Sequence, residues 1–173
     1  MVRKTLDPPA EKKTPGEKNY ITPAGYRKLT TELDFLQTKK RPEVVSALSD
    51  AAAEGDRSEN AEYIYRKRQL RQIDGRMRFL GKRLDIVVIV DPREQKRRDR
   101  VFFGASVTVE DEEGKSQTFS IVGSDEIDSA GGAISWQSPV GRGLLGKEIG
   151  DTVQVLWDKG QRELTITNIV YPT

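Results

Sequence analysis

Two apolar stripes of heptad spacing, set on either side of a glycine, constrain this chain more than any other feature. After Thr22 and Pro23, the residues Tyr26, Leu29, Leu33 and Leu36 recur at steps of 3, 4 and 3. That spacing puts them on one narrow side of a helix, the pattern of a packed seam. The stripe resumes at Val44, Val45, Leu48, Ala51 and Ala52. A second stripe, Glu59, Tyr63, Arg66, Leu70, Ile73, Met77, Leu80 and Leu84, alternates steps of 4 and 3. It is apolar near Leu84 and polar near Glu59. Neither helix can bury its seam alone, so the two are expected to pack antiparallel about a turn at Gly55. Thr22 suits the N-cap of the first helix and Pro23 its first position. Pro42 cannot donate a helical hydrogen bond, which predicts a bend or break near Arg41. The first helix should end near Ala53 or Glu54, and the second should begin near Arg57. At about 1.5 Å per residue, residues 23–53 make an arm about 45 Å long, with its tip projecting beyond any other core.

The flanking sequence has a different character. Residues 1–19 are rich in Pro, Lys and Glu and read as a disordered tail. Ile86 to Val90 form a β-branched run that Asp91-Pro92 ends, and residues 91–100 read as a charged linker. The period then changes to two, at Phe103, Ala105, Val107 and Val109. Further strands are expected at 119–122, 134–136, 153–157 and 164–170, with a short helix at 141–147. The expected fold class is therefore α+β. A long antiparallel helical hairpin over residues 20–90 is followed by a small, mostly antiparallel β-sheet domain with a short helix over residues 101–173.

Composition narrows the chemistry. Cys and His are both absent, which excludes disulfides, thiolate or imidazole zinc sites, and any Ser-His or Cys-His nucleophile within the chain. Carboxylates, lysines, tyrosines and hydroxyls remain, and the metals they suit are hard cations such as Mg²⁺. No apolar run has membrane-spanning length, and the N-terminus lacks the apolar core of a signal peptide, so a soluble intracellular protein is expected. Net charge is only +2, but its distribution is uneven. Residues 1–100 carry 24 Lys and Arg against 16 Asp and Glu, whereas residues 101–173 carry 5 against 11. A basic module that could face nucleic acid thus precedes an acidic one.

Two features carry potential chemistry. The first is Gly55-Asp56-Arg57-Ser58-Glu59-Asn60. Asp56 and Glu59 lie three residues apart at a helix start, so both point to one side of the tip. They could complete a metal site whose other ligands belong to a partner. The same spacing suits a capping box that merely closes the helix end, with Ser58 as an alternative cap. The second is a run of cations, Arg66, Lys67, Arg68, Arg71, Arg76, Arg78, Lys82 and Arg83, against the single acid Asp74. It reads either as a phosphate-binding face or as a solvated face neutralised by Glu32, Asp34, Glu43 and Asp50 of the first helix. Tyr63 and Tyr65, between tip and cations, either stack on a base or pack in the seam.

The stretch GDRSENAEY and the basic helix with Arg-Gln-Ile-Asp resemble the bacterial Gre transcript-cleavage factors. So do VFFGASV, IVGSDEID and ISWQSPVGRGLLGKEIGD, in order, so that the resemblance spans roughly residues 20–171. VFFGA and the dense cation run resemble the GreB type more than the GreA type. The resemblance implies a coiled-coil hairpin that enters the secondary channel of RNA polymerase and an FKBP-like C-terminal domain that docks at the channel rim. The protein would be no enzyme itself but would stimulate the polymerase's own cleavage of backtracked RNA. On this resemblance Asp56 and Glu59 help hold the second Mg²⁺ jointly with the polymerase and orient water, and Arg66 to Arg83 bind the nascent RNA 3′ segment. Asp125, Glu126, Ile127, Ser138 and Pro139 become candidate polymerase contacts. A cytoplasmic monomer is implied. Two competing roles use the same elements: a binder that only occludes the channel, and a prolyl isomerase suggested by the FKBP-like resemblance alone.

Overall fold

A computed structural model describes residues 18–54, 60–157 and 160–173. Helix α1 (Pro23–Phe35) starts as its sequence demands: the Thr22 hydroxyl accepts from the Gly25 N–H at 3.0 Å, and Pro23 occupies the first position. The bend or break expected near Arg41 takes the form of an interruption in the regular α-helix, without a loss of helical course. The chain widens into a π-helical turn over Leu36–Lys40, with the Arg41 N–H donating to the Leu36 carbonyl, and runs on as α2 (Arg41–Ala53). The extra residue in that turn offers Pro42 the phase change it needs, because its ring would meet the carbonyl four residues back in a regular helix. Helix α2 stops at Ala53 with Glu54 as its C-cap, as the sequence predicts.

Helix α3 (Ala61–Leu84) returns alongside. It begins four residues later than expected, and its cap is Asn60 rather than Asp56 or Ser58. The Asn60 side chain accepts from the Tyr63 N–H at 3.0 Å and donates to the Ala51 carbonyl at 2.7 Å, tying the end of α2 to the start of α3. Cross-helix ion pairs confirm the antiparallel course: Arg76 grips Glu32 with two bonds of 2.7 and 2.9 Å, and Arg41 reaches Asp74 at 2.9 Å. The apolar packing is uneven along the arm. At its base Ile21, Leu29 and Leu80 are buried, with Tyr26, Leu33, Leu36, Leu84 and Val87 against them. Farther out only Val44, Ala51 and Ile73 are buried among the described residues. Each fully buried aliphatic side chain contributes about 1.5–3 kcal/mol, so the base is the anchored end.

Strand β1 (Asn19–Ile21) pairs in parallel with β2 (Val87–Ile89) directly beneath the helices. Asn19 is buried, so the last residue of the segment read as a tail belongs to the fold, while residues 1–17 lie outside the described residues. Three residues are too few to display a period, which is why β1 was not foreseen. The segment read as a linker holds a 3₁₀ turn (Pro92–Glu94) with Pro92 buried, and Gly104 (φ 85°) packs so closely on it that a Cβ would overlap the proline ring.

The C-terminal sheet has the order β5-β4-β3-β7-β6. Its strands are β3 (Ser106–Asp111), β4 (Ser116–Val122), β5 (Ala133–Ser135), β6 (Thr152–Trp157) and β7 (Gly160–Val170). The β4–β5 pair is parallel and the others are antiparallel. Alternate residues Val107, Val109, Phe119, Ile121, Val153, Val155, Leu164 and Ile166 fill one core. Helix α4 (Pro139–Leu144) closes it with Leu144. The Tyr171 hydroxyl donates to the Arg100 carbonyl at 2.6 Å and accepts from the Phe102 N–H at 2.8 Å, fastening the last strand to the start of the domain. The chain is α+β, as its sequence predicts. No helix among the described residues is long and apolar enough to cross a membrane.

Candidate nucleic-acid interface on the helical arm

The cation run divides into two sets once the helices are packed. Arg66 pairs with Glu62 one turn earlier at 2.7 Å. Arg76 pairs with Glu32 across the arm, and its hydrogen bonds hold the Glu32 carboxyl below the ordinary carboxylate range. Arg83 pairs with Asp125 of the β domain through two bonds of 2.9 Å. Lys67 lies over the Tyr63 ring, 5.7 Å from its centre. By contrast Arg68, Arg71, Arg78 and Lys82 are exposed and form no ion pair among the described residues. These four sit at steps of 3, 7 and 4, so they share the face of α3 opposite the seam. Fourteen residues of helix make that row about 21 Å long. Of the acids expected to neutralise the face, Glu32 reaches a cation of α3, and Glu43 instead bonds Lys40 at the end of the π-helical turn.

Aromatic and apolar groups flank the row. Tyr65 is 57% exposed, with the Arg66 guanidinium 5.5 Å over its ring. Phe79 is also exposed and lies under Arg76 and Arg83. Tyr63 is half-buried toward the seam. Gly75 falls on the outward face between Arg71 and Arg78, where a Cβ would meet nothing within 4 Å.

Asp56 and Glu59 lie outside the described residues. They occur in the five residues between Glu54 and Asn60, the positions that close α2 and open α3. Among the described residues, no group of three or more acidic side chains gathers as a metal cage.

The candidate docking residues divide as well. Ser138 caps α4, its hydroxyl accepting from the Gly141 N–H at 3.0 Å, and Pro139 is exposed at the first helical position. Ile127 is 54% exposed. Asp125 and Glu126 point into the protein instead of outward. Asp125 accepts from Arg83 and from the Asn19 amide at 3.0 Å, and its side chain is only 9% exposed. Glu126 accepts from the Thr22 N–H at 2.9 Å, from the Thr22 hydroxyl, and from the Gly123 N–H at 3.1 Å. This junction of arm and β domain escaped the sequence reading. Its partners lie 42 to 106 positions apart, and the local signs were a glycine in the first turn of α1 and another at Gly123.

Fold and site together define a two-part protein, a helical arm with exposed cations that form no ion pair among the described residues, joined to an acidic β-sheet domain. Comparisons with known proteins give the family. A family model for the transcription elongation factor N-terminal domain matches residues 19–89, and one for the GreA/GreB C-terminal domain matches residues 94–171. The transcription elongation factor GreB of Neisseria meningitidis serogroup B is 49% identical over 154 residues, 89% of this chain and 94% of that protein. GreB of Pasteurella multocida is 52% identical over 153 residues, 88% of this chain and 96% of that one. The crystal structure of GreA factor homolog 1 of Thermus thermophilus is 25% identical, covers 89% of this chain and 99% of its own, and has a TM-score of 0.41. The chain belongs to the GreA/GreB family of transcription elongation factors, as a GreB-type member.

Proposed function

We propose that the protein carries Asp56 and Glu59 at the apex of its arm into the secondary channel of RNA polymerase and stimulates the polymerase's own cleavage of backtracked RNA. The arm acts as a coiled-coil hairpin over residues 20–90. The FKBP-like domain over residues 101–173 docks at the channel rim through the exposed Ile127 and Pro139 and the half-buried Ser138. The observation that carries the reading is the position of the two acids in sequence. They fall in the chain between Glu54, the C-cap of α2, and Asn60, the N-cap of α3.

Two carboxylates are oxygen donors that suit Mg²⁺, which commonly keeps only one or two protein ligands beside water and phosphate. Asp56 and Glu59 would hold that ion together with the polymerase's acids. When bound, it activates water and balances charge developing on the phosphodiester. Capping of α3 by Asn60 supports the assignment, since the capping role open to Asp56 and Ser58 is already filled. The free row Arg68, Arg71, Arg78 and Lys82 binds the phosphates of the extruded RNA 3′ segment. Tyr65, exposed beside the tip, offers a face for base stacking. The protein works as a cytoplasmic monomer and is no nuclease by itself, because two carboxylates alone hold Mg²⁺ weakly.

The test is RNA shortening in a stalled, backtracked elongation complex of purified components with Mg²⁺. Shortening that requires this protein, with none when RNA and protein are mixed alone, is the expected result. Bound protein with no shortening would make it a channel blocker and refute the proposal.

A further inference from the structure

The junction between arm and β domain is more strongly built than a tether needs. Two adjacent carboxylates grip the two helices of the arm at their bases. Glu126 holds the start of α1 through the N–H and hydroxyl of Thr22, its N-cap. Asp125 holds the last turn of α3 through both oxygens to Arg83, and holds β1 through Asn19. Arg83 in turn donates to the Asn19 carbonyl oxygen of its amide at 3.5 Å. These bonds involve ionised groups, and the Arg83 and Asp125 side chains are only 20% and 9% exposed, so they are stronger than ordinary surface pairs.

Sterics point the same way. A Cβ on Gly25 would overlap the Glu126 side chain, and one on Gly123 would overlap the Tyr20 carbonyl. Both glycines permit the close approach that the clasp requires. Between them the Tyr20 ring packs against Trp136 and Phe103, with centroids 5.3 and 5.9 Å away.

Lever geometry gives the clasp its consequence. Helix α3 has 24 residues, so it is about 36 Å long. A tilt of about 10° at the base displaces the far end by about 6 Å. A functional group must be held within about 0.5 Å of its productive position, which at that radius corresponds to about 1° of arm angle.

We propose that Asp125, Arg83 and Glu126 are positioning residues whose clasp fixes the angle between arm and β domain, and thereby where Asp56 and Glu59 arrive. This rests on the function proposed above. The two carboxylates act on the arm and touch neither polymerase nor RNA.

The chain has no cysteine, so nitroxide labels on Gln37→Cys in the arm and Glu112→Cys in the β domain report one distance by pulsed electron resonance. The parent should give a single narrow distribution. Asp125→Ala with Glu126→Ala should broaden it, leave polymerase affinity unchanged, and lower cleavage at saturating protein by about tenfold to 100-fold, the cost of misplacing a reacting group. Exchanging the charges, Arg83→Asp with Asp125→Arg, should restore part of both the narrow distance and the rate, and circular dichroism should show every variant folded. An unchanged distance width would overturn the proposal. So would lost affinity with full cleavage at saturation, which would make the carboxylates docking contacts. If the parent itself stimulates no cleavage, the proposed function falls. The distances in the free protein then still decide whether the clasp holds the arm.

Discussion

On the function proposed above, removing the four exposed cations that lack ion partners among the described residues should change how RNA binding responds to salt, and their number sets the size of the change. Arg68, Arg71, Arg78 and Lys82 form one exposed row without ion partners among the described residues, whereas Arg66 and Arg76 are neutralised by Glu62 and Glu32. Each cation that displaces a counterion from a single strand adds about 0.7 to the slope of log affinity against log salt. Four such contacts give a slope of about −2.8, a fall in affinity of about 50-fold between about 50 and about 200 mM salt. A variant with all four changed to Ala should be nearly flat over that range. Arg66→Ala with Arg76→Ala should keep the parent slope to within about half a unit, because each arginine already has an anion beside it. Fluorescence anisotropy of a labelled single-stranded RNA, titrated with protein at several salt concentrations, measures both. The division of the run would be refuted if the fourfold variant kept its slope or if the paired arginines carried it.

Arg83→Ala should destabilise the protein by about 3 kcal/mol in chemical denaturation, since it leaves the poorly exposed Asp125 carboxylate without its cation, and changing both partners to apolar residues should cost less than changing one. Gly75→Ala and Gly81→Ala should each stabilise α3 by about 0.5–1 kcal/mol in thermal or denaturant unfolding, because a Cβ at either position meets nothing within 4 Å. The Asp91 carboxyl, held by the side chain and N–H of Arg93, is lowered to about 2. Its contribution to stability is therefore complete above its unfolded value near 4 and is lost as pH falls through about 2. Carboxyl carbon shifts followed by NMR should show that midpoint, and a midpoint near 4 would contradict the pairing.

What the sequence made legible follows from the range of each interaction. The seam residues Leu29, Ile73 and Leu80 are buried where their spacing puts them, and Thr22-Pro23 and Ala53 bound the first helix as expected. These are local signals within one or two turns. Alternation likewise placed β3 and the later strands, although β7 runs four residues farther toward its start than the apolar pattern marks, because Gly160 to Glu163 are polar and exposed. Pro42 marks the interruption near Arg41, but the form it takes, a π-helical turn over Leu36–Lys40, depends on the turn before it and is not written in the proline. The sequence leaves the cap of α3 open to Asp56 or Ser58, whereas Asn60, bonded to Ala51 nine residues earlier, takes that place. Least legible was the charge pairing. Glu32 stands among the acids expected to face α3 and does engage Arg76, but nothing local shows that Asp125, 42 positions away in the β domain, engages Arg83. The two acids of the apex were legible as a motif and lie outside the described residues.

The most direct trial neutralises those acids without changing their shape. Asp56→Asn and Glu59→Gln should each bind polymerase as tightly as the parent, yet fail to shorten RNA in backtracked complexes at saturating protein and Mg²⁺. Full shortening by both variants under those conditions would contradict the account.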